Sequence, residues 1–287
     1  MILGNNLLGS LDLNRIHQFD CVQGMKLIPD DSIDTCVTSP PYWNVRDYGV
    51  DGQVGLEDDY KQYIKKLVDV FHEVKRVLKP DGTLWLNIND TYAANRTYQV
   101  SQSIHKGHDY GKSNGMKVPE GLKEKDMIGI PWKSAFALQE DGWYLRSDII
   151  WQKPNPMPES VKDRPTRSHE FIFLMSKSKK YYYDYESIKE NTLDGSTKKN
   201  KTDVWTVQKK SFKEAHFATF PEDLIVPCIL GGSREGGVVL DPFMGAGTTA
   251  LVAAKNNRNF IGFELNHEYI EIANKRLDSI DYSSNKI

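Results

Sequence analysis

Two short segments carry residue types able to do chemistry together. Ser39-Pro40-Pro41-Tyr42 ends an apolar run near the N-terminus and sets oxygen acceptors beside an aromatic face, a combination suited to a planar amino compound. Asp241-Pro242-Phe243-Met244-Gly245-Ala246-Gly247-Thr248-Thr249 follows a second apolar run near the C-terminus. Its glycines permit a tight strand-to-helix turn, where backbone can approach a ligand and helix N-terminal amides face it, as a nucleoside-containing cofactor requires. Glu264 ends the next apolar run, roughly twenty residues on, where an acidic side chain in a Rossmann-like sheet accepts hydrogen bonds from ribose hydroxyls. The third glycine of a dinucleotide fingerprint is missing, and the P-loop Gly-Lys-Ser/Thr pattern is absent.

These segments need strands and helices to hold them. Residues 15–20 and 33–38 read as short buried strands, the second bounded by Asp30-Asp31-Ser32 and the prolines. Tyr60, Ile64, Leu67, Val68, Phe71, Val74, Val77 and Leu78 recur at helical spacing; Lys79-Pro80-Asp81-Gly82 then turns the chain into a strand over 83–89. A helix from Pro131 through Gln139, strands over 143–151 and 170–175, and a helix started by Pro221 follow. The chain closes with strand 237–241, helix 248–256, strand 259–264 and helix 267–277. Such alternation predicts one α/β domain over 1–287, with a mainly parallel sheet covered by helices on both faces. Residues 91–125, rich in Ser, Gly, Lys, His and Asn with little periodicity, read as a flexible insertion.

The 287 residues suffice for a substantial core, and the formal charge of -2 by itself argues for no polyanionic partner. The average hides a gradient: residues 153–213 hold 14 Lys/Arg against 8 Asp/Glu, interleaved with Tyr181, Tyr182, Tyr183, Tyr185 and Trp205. That pattern fits a nucleic-acid face, and equally a solvated lysine-rich surface. A mean hydropathy of -0.55, with no long apolar run and no signal-peptide pattern at the start, reads as a soluble, cytoplasmic protein without membrane attachment. Cys21, Cys36 and Cys228 have no CxxC spacing, so neither a disulfide framework nor a metal site is expected; Pro227-Cys228 lies in an apolar stretch and reads as core.

The pairing of Ser39-Pro-Pro-Tyr with Asp241-Pro-Phe-Met-Gly-Ala-Gly-Thr resembles the β class of S-adenosylmethionine-dependent DNA amino-methyltransferases, over nearly the whole chain. The resemblance implies that Asp241, Phe243, Gly245, Gly247, Thr248 and Thr249 hold the methionine end of S-adenosylmethionine, and that Glu264 takes the ribose. It implies that Asp20 approaches the adenine amino group, with Phe19 where the family has glycine. Residues 216–221, including Thr219 and Phe220, resemble the segment closing over the methionine group. It further implies a circularly permuted Rossmann-like methyltransferase sheet of seven strands, since the cofactor elements that open the standard sheet end this chain.

An exocyclic amino nitrogen is a poor nucleophile because its lone pair is delocalised into the ring. Transfer from a sulfonium methyl therefore needs in-line positioning and acceptors for the amino hydrogens. Ser39 Oγ and the Pro40 carbonyl can serve, Pro40 and Pro41 have no N–H to compete, and Tyr42 can stack on a base flipped from double-stranded DNA. Asp90, ending the next strand, could accept the released proton or cap a helix. In the family the target-recognition segment lies between the two motifs, which makes the loop 91–125 and the stretch 153–213 its candidates here. Lys153, Arg164 and Arg167 are candidate DNA contacts, with Arg46 near the flipped base; each could equally form a structural ion pair. Ser before Pro-Pro-Tyr favours cytosine N4 as target, with adenine N6 as the alternative. A DNA-binding module without catalysis and an RNA or small-molecule methyltransferase are the other readings. No nuclease constellation is visible, so a cognate restriction endonuclease would be a separate chain; monomer and homodimer both remain open.

Overall fold

The computed structural model describes residues 7–93, 99–100, 118–208 and 220–280. The central sheet has eight strands: β1 (Arg15–His17), β2 (Ile33–Thr38), β3 (Leu78–Ile88), β4 (Tyr144–Gln152), β5 (His169–Ser176), β6 (Val204–Thr206), β7 (Val238–Asp241) and β8 (Asn259–Phe263). Their spatial order is β6-β4-β5-β3-β2-β7-β8-β1. Every neighbouring pair is parallel except those of β5, which runs antiparallel to both β3 and β4. The strands β7 and β8, last in sequence, lie inside the sheet between β2 and β1, the arrangement that a circular permutation implies. The sheet exceeds the seven expected strands by β6, only three residues long and paired to β4 at the edge.

Two apolar cores flank the sheet. Helices α1 (Cys21–Met25), α2 (Tyr60–Val77) and α3 (Ile130–Glu140) pack with Ile33, Cys36, Leu84 and Leu86. On the other face α4 (Glu222–Gly232), α5 (Thr248–Lys255) and α6 (His267–Asp278) pack with Val37, Trp85 and Val239. Alternating side chains of β2 and β3 thus enter opposite cores, and all six residues of β2 are buried. Helix α2 follows its periodicity: Tyr60, Tyr63, Leu67, Val70, Phe71, Val74 and Val77 are buried, and the Asp59 side chain accepts from Lys61 N. The expected turn at Lys79-Pro80-Asp81-Gly82 survives as an irregularity inside β3. Its pairing with β2 jumps from Ile33 opposite Leu78 to Thr35 opposite Thr83. Among the described residues no helix is long and apolar enough to cross a membrane.

Candidate active site

The two motifs meet because their strands are neighbours. β2 delivers Ser39 and β7 delivers the turn after Asp241, both from carboxyl ends of adjacent parallel strands. Ser39, Pro40, Pro41 and Tyr42 line one cleft with Phe243, Gly245 and Glu264. The cleft encloses ≈ 1050 Å³, part of it open to solvent, room for a nucleoside-sized ligand and a ring beside it.

On the β7 side, Asp241 is 1% exposed and wholly committed to its own chain. Oδ1 accepts from Thr38 Oγ1 at 2.6 Å and Phe243 N at 3.0 Å, and Oδ2 accepts from Thr249 Oγ1 at 2.7 Å. Burial pushes its carboxyl up to about 6, against those three hydrogen bonds. Thr249 Oγ1 also lies 3.3 Å from Val37 O, and Thr248 Oγ1 accepts from Arg276. Asp241, Thr248 and Thr249 therefore build the turn rather than line the cleft, whose wall is Phe243, Gly245 and Ala246. Gly245 has φ 51, and a Cβ there would meet nothing nearer than Phe243 O at 4.0 Å. Gly247, at φ 77, differs: its Cβ would stand 2.6 Å from Ala273 Cβ, so its bareness serves the packing of α5 on α6.

Glu264 Oε2 accepts from Gly245 N at 2.9 Å and Oε1 from Asn266 N at 2.8 Å. Each oxygen keeps a lone pair for a further donor in the cleft. Burial raises this carboxyl above its ordinary value despite the two amides. Asp20 caps α1 through Gln23 N at 3.0 Å and reaches the cleft beside Phe19 and Leu265. Bare backbone at Gly245, acceptors at Glu264 and Asp20, and the apolar faces of Phe19, Phe243 and Leu265 together fit a nucleoside with an amino-bearing ring. Phe220 packs against the apolar core with α4 and α5, and Thr219 lies outside the described residues.

On the β2 side, Tyr42 turns its hydroxyl inward. It donates to Glu170 Oε2 at 2.7 Å, lies 3.2 Å from Asn87 Oδ1, and accepts from Ser39 Oγ at 3.4 Å. Burial, and then the Glu170 charge, hold the Tyr42 phenol well above its ordinary value. The turn is pinned by Tyr63, donating to Pro41 O at 2.9 Å, and by Trp43, donating to Glu57 O at 2.8 Å. Tyr48, Gln53 and Tyr269 complete the cleft wall with Arg46 and were not singled out from sequence. Neither were Asn87 and Glu170; for Glu170 the available signal was one carboxylate in the otherwise apolar run of β5.

Asp90 takes the capping role. Its carboxylate accepts from Thr91 N, Gly129 N and Ile130 N within 3.0 Å, holding the start of α3, and it does not line the cleft. The neck of the 91–125 insertion closes there through Ala93 N to Asp126 O and Lys125 N to Ala93 O; residues 94–98 and 101–117 lie outside the described residues. Arg167 donates to Asp90 O and Asn89 Oδ1, both at 2.6 Å. Arg164 pairs with Glu159 and lies 4.1 Å over the Tyr92 ring. Lys153 is ion-paired with Glu170. Lys153, Arg164 and Arg167 thus all have partners within the chain.

The basic stretch divides. Residues 153–168 join the end of β4 to the start of β5, at the same end of the sheet as Ser39, because Gln152 pairs with His169. The antiparallel β5 then carries the chain to the opposite end, where Lys177 meets Asp31 and Leu78 O, and Ser178 meets Pro80 O.

Residues 33–275 match the N6/N4 family described as DNA methylase. The Type II methyltransferase M.Cfr9I of Citrobacter freundii is 52% identical over 274 residues, 94% of this chain and 90% of that protein. The Type II methyltransferase M.SmaI of Serratia marcescens is 54% identical over 260 residues, 90% and 87% of the two chains. Among solved structures, the cytosine-N4-specific PvuII DNA methyltransferase shares the fold at a TM-score of 0.69 and 20% identity, over 95% of this chain and 87% of that one. The M1.HpyAVI–SAM complex does so at a TM-score of 0.60 and 21% identity, over 92% and 98%.

Proposed function

This chain belongs to the N6/N4 DNA methylase family, and from that premise we propose that it transfers a methyl group from S-adenosylmethionine to the N4 amino group of a cytosine flipped out of double-stranded DNA. One observation carries the reading: Ser39 and Gly245 face one cleft from the ends of adjacent parallel strands. S-adenosylmethionine supplies an electrophilic methyl on a positively charged sulfur. Gly245 lets the backbone approach it, Phe243 walls it, Glu264 takes the ribose hydroxyls and Asp20 the adenine amino group. Ser39 Oγ and the Pro40 carbonyl accept the amino hydrogens of the target base and draw its nitrogen lone pair out of conjugation. Tyr42, its hydroxyl anchored inward, presents its ring to stack on the base.

Cytosine rather than adenine follows from Ser39 before Pro-Pro-Tyr, the form associated with the N4 branch. Residues 153–168, which lie at the site end of the sheet, are our choice within the basic stretch for the DNA-facing segment. A cognate restriction endonuclease would act as a separate chain in a Type II system. The test is nucleoside analysis of unmethylated DNA after incubation with a labelled methyl donor. N4-methylcytosine is expected; N6-methyladenine would overturn the base assignment, and no labelled nucleoside would overturn the activity.

A further inference from the structure

We infer that Glu170 is a positioning residue for methyl transfer: it sets the direction of a hydrogen-bond chain that leaves Ser39 Oγ only lone pairs to present to the amino group of the base. The inference rests on Ser39 being the amino-hydrogen acceptor and adds what makes it one. A serine hydroxyl both donates and accepts. If its proton pointed at an amino group, two donors would face each other.

The structure removes that option link by link. Glu170 lies on β5 and is 6% exposed. Its Oε1 is ion-paired with Lys153, and its Oε2 receives the Tyr42 hydroxyl at 2.7 Å and Asn87 Nδ2 at 3.3 Å. Asn87 Nδ2 also donates to Phe171 O at 3.0 Å, which fixes the amide with nitrogen toward the carboxylate. Tyr42 has one proton to give, and the carboxylate at 2.7 Å takes it in preference to Asn87 Oδ1 at 3.2 Å. The phenol oxygen is then an acceptor, and the hydroxyl facing it is Ser39 Oγ at 3.4 Å. The Ser39 proton is drawn inward along this longest link, and its lone pairs face the cleft. Every donor in the series points toward Glu170, and Lys153 neutralises the buried charge at its end. Asp90 has no part in it, because its carboxylate is occupied by the α3 cap.

Glu170→Gln keeps the shape but lets an amide N–H face Tyr42, reversing the chain. Tyr42→Phe keeps the stacking ring and cuts it. Steady-state and single-turnover methyl transfer would be measured on unmethylated genomic DNA, with thermal melts to establish folding. Each variant should lower kcat by about 10- to 100-fold, the scale of one hydrogen bond to a charged group, with KM for donor and DNA unchanged. Because Glu170 acts through the Tyr42 hydroxyl, Glu170→Gln added to Tyr42→Phe should cause no further loss, whereas a merely structural carboxylate would give additive losses. Wild-type kcat in Tyr42→Phe overturns the proposal even where no Glu170 variant folds, and so does additivity. Failure of the wild-type protein to methylate any DNA would instead remove the activity on which the inference rests, a result distinguishable from either.

Discussion

Thr38 Oγ1 donates to Asp241 Oδ1 over 2.6 Å, joining the last residue of β2 to the last residue of β7 although 203 positions separate them. This bond fixes the spacing between the Ser39 turn and the Gly245 turn, the proposed base and cofactor sides of the cleft. It also sits on a carboxyl that burial pushes from 3.8 to about 6. A folded pKa above the unfolded one means that the native state holds the extra proton between those values, so stability falls as pH rises across the window and stays lowered above it.

Asp241→Asn should therefore fold, because Thr249 can turn its proton to Val37 O and accept from the new amide. It should also lose the titration. Relative to wild type, its unfolding free energy in urea should rise by up to about 3 kcal/mol between about pH 4 and pH 7, the equivalent of roughly two pKa units. A constant difference across that range would show that Asp241 does not titrate there.

The two glycines of the turn should separate when each is changed to alanine. Both adopt left-handed backbone, which costs another residue about 1–2 kcal/mol. Only Gly247 would also drive a methyl into Ala273, at 2.6 Å, adding overpacking of about 1–3 kcal/mol. Denaturation should rank Gly247→Ala well below Gly245→Ala in stability, while calorimetry with S-adenosylmethionine should show that Gly245→Ala, whose new methyl enters the cleft, weakens binding even where folded. The reverse ranking would exchange the roles assigned to them.

What the sequence made legible was local chemistry: the Ser39 and Gly245 turns, the period of α2, the carboxylate that follows β8. What it hid depended on partners far along the chain. Asp90 could be read as base or cap, and only its contact with Gly129 and Ile130, across the insertion, decides for the cap. Glu170 is a single carboxylate at the start of an apolar run, and the partner that gives it a role, Tyr42, lies 128 positions away. The reversed direction of β5, which composition does not encode, splits the basic stretch between opposite ends of the sheet.

Glu264→Gln should weaken cofactor binding by at least about tenfold, ~1.4 kcal/mol. The carboxylate accepts from Gly245 N on one oxygen and Asn266 N on the other, so an amide must set its own N–H against one of them. Calorimetry would read the change directly, and binding as tight as wild type would remove Glu264 from the ribose site.

DNA affinity should depend on salt through residues 153–168 and not through the lysines at the far end of the sheet. Removing one cation that neutralises a phosphate flattens the slope of log K against log salt by about 0.9 for duplex DNA. Lys162 is exposed on the site-side loop and Arg164 stands over Tyr92 beside it; Lys179 and Lys180, equally exposed, follow Ser178, which is bound to Pro80 O at the opposite end. Arg167 is left intact because it holds the backbone of Asp90 and with it the start of α3. Lys162→Ala with Arg164→Ala should flatten the slope by up to about two units while leaving cofactor affinity unchanged. Lys179→Ala with Lys180→Ala should leave both as they were. A weakening spread evenly over all DNA sequences would mark phosphate binding, and relaxed discrimination at one base pair would mark direct readout by Arg164. If the far-end pair flattens the slope and the near-end pair does not, the duplex must wrap toward the other end of the sheet, and the loop after β4 would lose its assignment as the DNA-facing segment.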